Sequence, residues 1–213
     1  MEGKYIDRRE AGRILANHLE KYTNRPDVIV LALPRGGVPV AYEIANVLSA
    51  PLDVFIVRKL GVPGHEELAM GAIAMGGAVV FNEEIVSDLH IPQTAIDHVI
   101  DSEQQELQRR ERVYRGDRPF PTLQDKIVIL VDDGIATGAT MRAAIKAIYQ
   151  QQPASVIMAV PVAEITTCEM MEKLVDQVIC PLKPMNLYAV GQWYKDFSQT
   201  TDEEVHDLLA RQS

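Results

Sequence analysis

The sequence predicts an α/β domain built around a parallel sheet. Three observations predict it. Five short apolar runs recur along the 213 residues: "VIVLAL" (28–33), "LDVFIV" (52–57), "KIVILV" (126–131), "SVIMAV" (155–160) and "QVIC" (177–180). Runs that are continuously apolar, and of strand length, suit strands buried on both faces. Helical spacing follows the first, third and fourth runs, which implies βαβ units with right-handed crossovers. Hydrophobic residues make up 47% and charged residues 24%, which places the chain among ordinary globular domains and argues against wholesale disorder.

The elements follow in order. "YIDRREAGRILANHLEKY" reads as a helix that Asp7 and Glu10 start as a capping box. Ala11, Ile14, Leu15, His18, Leu19 and Tyr22 form one face, with His18 expected as a packed histidine rather than a ligand. The first strand ends in Pro34-Arg35-Gly36-Gly37, and "VPVAYEIANVL" continues as a helix. After the second strand comes a glycine-rich stretch, "RKLGVPGHEELAMGAIAMGGAVVFN", expected as a loop that moves and then a hairpin turning at Gly76-Gly77. Residues 83–118 interrupt the alternation as a helical insertion: a short helix, a break at Pro92, and a long polar helix to about Arg115. Ile96, Val99, Ile100, Leu107 and Tyr114 give the long helix a narrow apolar stripe, while Glu106–Arg110 and Glu111–Arg115 are favourable i,i+4 pairs. This pattern fits a solvated helix on the domain edge, and the alternative is a homo-dimer surface. Helices are expected at 139–150 and near 164–175, and Thr201 with Glu204 starts a final one.

A net charge of −9 disfavours a general grip on nucleic acid. The first residues lack an apolar signal core, and no stretch approaches the ~20 apolar residues of a membrane span, so a cytoplasmic location without membrane contact is expected. Cys168 and Cys180 have no CxxC spacing and read as two reduced thiols.

The stretch "ILVDDGIATGAT" (129–140) carries the chemistry. Asp132 and Asp133 stand at a strand's carboxyl end, where open parallel sheets collect ligands. Paired carboxylates there accept sugar hydroxyls and bind Mg²⁺ directly or through water. The small residues behind them lead into a helix N-terminus, which favours an anion. The stretch is therefore built as a sugar-phosphate clamp. It has neither a Walker loop nor G-x-G-x-x-G. In "LPRGGVPVA", Gly36 and Gly37 let the backbone approach a diphosphate and Arg35 adds charge, again ahead of a helix.

"VILVDDGIATGAT" resembles the thirteen-residue phosphoribosyl-pyrophosphate (PRPP) signature of type I phosphoribosyltransferases. The resemblance implies that fold as a single domain over 1–213, with the 83–118 insertion and a C-terminal hood and helix over 183–213. It implies that Asp132 and Asp133 bind the ribose hydroxyls and that Ala136, Thr137, Gly138, Ala139 and Thr140 cradle the 5-phosphate. Gly134 departs from the bulkier apolar residue usual in the motif, a change expected to act on local packing. Ala136 stands where 6-oxopurine enzymes carry an acid, which argues against a hypoxanthine–guanine assignment. "LPRGGVPVA" resembles the pyrophosphate loop, in which the family often holds a cis peptide before the basic residue. "VRKLG" is similar to the Arg-Lys pair that opens a mobile lid, so Arg58 and Lys59 would meet the leaving pyrophosphate, with His65, Glu66 and Glu67 as weaker acid–base candidates. In the hood, Trp193 or Tyr194 would stack on a planar base, near Tyr188 and Phe197.

The implied reaction is transfer of the 5-phosphoribosyl group from PRPP, as its Mg²⁺ complex, to a nitrogenous base or related nitrogen nucleophile, with release of pyrophosphate. A PRPP-binding regulatory protein without turnover is the alternative. A sugar-phosphate hydrolase or kinase is disfavoured by the missing Walker loop.

Overall fold

The fold was established from a computed structural model, which describes residues 4–212; residues 1–3 and 213, at the two ends of the expected domain, lie outside the described residues. The elements are α1 (Arg8–Asn17), β1 (Val28–Ala32), α2 (Gly37–Leu48), β2 (Leu52–Val54), β3 (Val57–Val62), β4 (His65–Ala74), β5 (Val79–Phe81), α3 (Glu83–Asp88), α4 (Gln93–Arg115), β6 (Ile127–Val131), α5 (Ala139–Tyr149), β7 (Ser155–Ala159), α6 (Ile165–Met171), β8 (Gln177–Ile179) and α7 (Asp202–Arg211).

Five strands form a parallel sheet in the order β2-β1-β6-β7-β8. Every residue of β1 and β6 is buried, as their continuous apolar runs require. After β1 the chain moves to one side of that strand to form β2. It returns on the other side only at β6, so the order reverses between β1 and β6. The loops leaving these two neighbours therefore meet at a switch point, where the crevice at the carboxyl ends receives ligands. Leu33 N–H extends the ladder by donating to Val131 O at 2.9 Å.

The run 52–57 divides between two sheets. Phe55 N–H still donates to Ala32 O at 2.9 Å, but Val57 pairs with Ala74 in a separate antiparallel sheet of order β3-β4-β5. The glycine-rich stretch expected as a loop thus forms a two-stranded ribbon with a third strand beside it. The turn at Gly76-Gly77 is as expected, and both residues sit at φ near +80°, where a side chain would be strained. His65, Glu66 and Glu67 lie exposed at the ribbon's tip.

The caps read from the sequence are present. Asp7 Oδ1 accepts from Glu10 N–H at 2.8 Å, although Glu10 reaches back to Ile6 N–H rather than to the cap residue. Thr201 Oγ1 accepts from Glu204 N–H at 3.1 Å. His18 departs from its expected packed role: α1 ends at Asn17, and His18 follows it exposed at the cap.

The long helix α4 is more firmly tied than a solvated edge helix. Ile96, Leu107 and Tyr114 are buried, and α4 packs on α7 and on β3. Its last residue, Arg115, is buried and grips Asp53 of β2 with two bonds of 2.6 and 2.9 Å. The same guanidinium donates to Glu111 and to the carbonyls of Arg118 and Pro119. A buried charge is tolerated only with this degree of pairing.

Candidate active site

The site lies where the loops after β1 and β6 meet. Gly36 and Gly37 cross directly over the two acids. A Cβ on Gly36 would fall 2.0 Å from Asp133 Oδ2, and one on Gly37 would fall 2.8 Å from Val131 O. Close approach of backbone requires glycine at Gly37, and a side chain at Gly36 would have to displace the Asp133 carboxylate. The Pro34–Arg35 peptide just before them is cis.

The two acids have different surroundings. Asp132 Oδ1 accepts from Asp133 N–H at 2.8 Å. Burial, reinforced by the Asp133 charge, holds the Asp132 carboxyl well above the usual carboxylate range. Asp133 is instead paired: Arg8 Nε donates to its Oδ2 at 2.8 Å, with both side chains mostly buried. Arg8 is itself held from two further sides. Its guanidinium lies 3.9 Å from the centre of the Phe197 ring, and its Nη1 donates to Ser198 O at 2.6 Å. The backbone of Asp133 is fixed as well, because Tyr194 Oη donates to its carbonyl at 2.6 Å.

Behind the acids, Ala136 and Thr137 are exposed, and Gly138 caps α5 at φ +78°. A glycine cap offers no side-chain oxygen to the first N–H groups of the helix, so these can serve an anion. Met171 and Thr167 of α6 pack under this turn. Gly134, where the motif usually carries a bulkier residue, sits at φ +156°, and a Cβ there would meet Val190 at 2.5 Å. The exception is explained by packing, since the 183–201 segment presses on the loop at this point.

The structure brings Arg35, Gly36, Gly37, Asp132, Asp133 and the 136–140 turn to one end of the sheet. It holds Arg58 and Lys59 elsewhere, on β3. Arg58 Nε donates to Glu103 of α4 at 2.7 Å, and Lys59 is exposed. Lys59 lines two clefts, one of ≈ 590 Å³ between ribbon and α4, and one of ≈ 500 Å³ between ribbon and α5. Neither is lined by the paired acids or the glycine turn. Arg35 faces Asp202 of α7 at 3.5 Å.

The aromatic cluster of the hood separates into different environments. Tyr194 is 4% exposed, between Tyr5 and Phe197 at ring distances of 5.6 and 5.0 Å. Its ring is already covered and has no face left for a base. Burial, then the nearby Asp133 charge, pushes its hydroxyl pKa up. Trp193 is half-buried and Tyr188 is exposed. Sequence reasoning missed Arg8, because "DRRE" reads as a helix start with surface arginines. It also missed Glu103 and Asp202, which face the expected pyrophosphate arginines from a helix 45 and another 167 residues away in sequence.

The family model described as the phosphoribosyl transferase domain matches residues 67–192. The chain belongs to this family. Two curated relatives from Mycobacterium tuberculosis, strains H37Rv and CDC 1551, bear the name "Putative phosphoribosyl transferase". Each is 44% identical over 207 residues, which is 97% of this chain and 46% of the relative. The chain thus spans about half the length of these phosphoribosyl transferase relatives. The "Bifunctional protein PyrR" of Clostridium acetobutylicum is 27% identical over 165 residues, covering 75% of this chain and 73% of that protein. Among solved structures, the TT1426 protein of Thermus thermophilus superposes with a TM-score of 0.86 at 37% identity, over 99% of each chain. The phosphoribosyl transferase match includes the Asp132–Thr140 stretch and begins after the glycine turn and the Arg58-Lys59 pair.

Proposed function

We propose that this chain transfers the 5-phosphoribosyl group of PRPP to a nitrogen nucleophile, most simply a planar nitrogenous base, with release of pyrophosphate. The observation that carries the reading is the apposition of Asp132 and Asp133 to the Gly36–Gly37 turn, with the open start of α5 behind them. Acids meet the ribose hydroxyls, the Gly36 N–H meets the diphosphate while Gly37 N–H is held by Leu33 O, and the 136–140 turn meets the 5-phosphate. In the reaction the bond from the anomeric carbon to the diphosphate oxygen breaks and a bond from that carbon to nitrogen forms. Positive charge grows on the ribose ring and negative charge on the diphosphate. The chain supplies positioning and charge: Asp132 and Asp133 fix the ring, and Arg35 with the loop amides stabilises the departing anion.

Magnesium fits this site in one way. Among the described residues no group of three or more His, Cys, Asp or Glu side chains is arranged to hold a metal. Two adjacent carboxylates beside substrate phosphates are the donor set that Mg²⁺ accepts while keeping most of its waters. Asp132 and Asp133 would hold it through water or by direct contact, and the ion would neutralise diphosphate charge.

Arg58 and Lys59 are proposed to reach the diphosphate only after Arg58 leaves Glu103. Trp193 is proposed as the residue that stacks on the acceptor, and Tyr194 supports Asp133 from beneath. The whole of 1–213 is proposed to act as one domain, with 83–118 as its insertion and 183–213 as its hood.

A second reading, a PRPP-binding protein without turnover, is favoured by one observation. Arg8, Arg35 and Arg58 all face this chain's own carboxylates, at 2.8, 3.5 and 2.7 Å. Incubation with PRPP, Mg²⁺ and a panel of purine and pyrimidine bases, read as pyrophosphate release, separates the two. Base-dependent release supports the transferase, whereas PRPP binding with release no faster than in buffer supports the binding protein.

A further inference from the structure

Beside the glycine turn lies a small hollow of ≈ 170 Å³, lined by Arg35, Arg109, Arg110, Val113, Tyr114 and Asp202. It draws on three elements remote in sequence: the loop after β1, the last turns of α4, and the first residue of α7. Its lining holds three guanidiniums and one carboxylate, and Glu106 beside it pairs Arg109 and Arg110, so three cations stand against two anions on a chain whose net charge is −9. The excess of positive charge is local and is set against the sign of the whole molecule.

The carboxylates nearby leave donor capacity over. Glu106 is shared, accepting from Arg109 at 2.8 and 2.9 Å and from Arg110 at 2.9 Å. These bonds hold its carboxyl down to about 2, so it stays ionised and fixes both side chains at ordinary pH. Asp202 Oδ1 accepts from Tyr114 Oη at 3.0 Å and faces Arg35 only at the longer distance of 3.5 Å. Each guanidinium carries five N–H donors in a fixed fork. Of these, the contacts just named use two on Arg109, one on Arg110 and one on Arg35. Forked donors around a small polar space are the arrangement that receives tetrahedral phosphoryl oxygens. The volume corresponds to roughly five or six waters at ~30 Å³ each. It has room for one phosphate or a diphosphate.

We propose that this hollow is a second anion site, which takes a phosphoryl group and is coupled to the glycine turn through Arg35. An anion seated there competes with Asp202 for Arg35 and draws that side chain toward α4. The site does not depend on the phosphoribosyl transfer reaction and stands or falls separately from it.

The test follows the arginine Nε–H signals of the whole chain by ¹H–¹⁵N spectroscopy during titration with inorganic phosphate, then with inorganic diphosphate, against chloride at matched ionic strength. Arg109, Arg110 and Arg35 are expected to shift together and to saturate with both phosphorus anions but not with chloride. In Arg109→Gln/Arg110→Gln the Arg35 response should weaken at least tenfold, with melting temperature and PRPP affinity unchanged. In Asp132→Asn/Asp133→Asn the response should persist, whatever happens to PRPP binding. Equal, unsaturated shifts with chloride would reduce the effect to screening and overturn the site. An undiminished Arg35 response in the double glutamine variant would place the anion on the glycine turn alone and overturn it as well.

Discussion

Arg8 Nε lies 2.8 Å from Asp133 Oδ2, so α1 holds one of the two acids at the end of β6. The pair is 125 residues apart in sequence. It joins three parts of the site: the acid, the Phe197 ring under the guanidinium, and the Ser198 carbonyl. Removing one partner of a fully buried pair costs about 3–5 kcal/mol. These side chains keep 12% and 14% of their exposure, so Arg8→Ala is expected to cost somewhat less, about 2–3 kcal/mol. Arg8→Lys should fall between, because an ammonium keeps the charge but loses the planar stacking and the fork. Urea denaturation of the three proteins checks this, and equal midpoints would show that the pair does not stabilise the fold.

The contact between Gly36 and Asp133 gives a sharper substitution. A methyl group at 36 has no room beside Asp133 Oδ2, and the Gly36 backbone itself, at φ −60°, tolerates a side chain. Gly36→Ala is therefore expected to displace the carboxylate while leaving the sheet intact. PRPP affinity should fall at least about tenfold, or ~1.4 kcal/mol, and the melting temperature should fall by no more than in Arg8→Ala, because the displaced Oδ2 is the atom that accepts from Arg8. Unchanged affinity by calorimetry would mean that Asp133 does not need its present position.

Much of the fold was legible in the residues because parallel strands and their helices write strong patterns. β1, β6 and β7 were found within a residue because their burial on both faces leaves no polar interruption. The run 52–57 was misread for the same reason. An apolar run records burial and not the sheet that provides it, so the transfer at Phe55 and Ile56 leaves no mark. The acids and glycine turns of the site could be read because loops that approach a ligand need particular small or charged residues. Their partners could not. Arg8, Glu103 and Asp202 look like solvated helix residues until folding sets them against Asp133, Arg58 and Arg35.

Tyr194 and Trp193 are adjacent and are expected to behave differently. Tyr194→Phe keeps the packed ring but leaves the Asp133 carbonyl without its donor, at about 1 kcal/mol. It should lower stability and PRPP affinity together. Trp193→Ala should raise the acceptor's Michaelis constant with PRPP affinity unchanged, since stacking on a base contributes ~1–3 kcal/mol. As Trp193 is the only tryptophan, its fluorescence should respond to a base that binds. Silent emission, with a large drop in melting temperature for the alanine variant, would assign it to the core.

The Asp132 carboxyl gives a pH signature. Burial, then the Asp133 charge, raises its folded-state value above that of the unfolded chain. The folded form therefore binds the extra proton more tightly. The stability so gained is fully present below the unfolded value, ~3.9, and is lost as pH rises through the folded one. In chelator and without ligand, Asp132→Asn should raise the melting temperature at pH 7, and the gain should shrink toward zero near pH 4. The amide oxygen still accepts from Asp133 N–H, so the comparison isolates the charge. A loss of stability at pH 7 would contradict the assignment.

The most direct measurement is calorimetric titration of Mg²⁺–PRPP into the wild-type chain and into Asp132→Asn/Asp133→Asn. The paired acids are predicted to be required: the wild type binds, and the double variant, with circular dichroism showing it folded, gives no saturable heat. Wild-type affinity in the folded double variant would contradict the sugar-phosphate clamp and with it the proposed function.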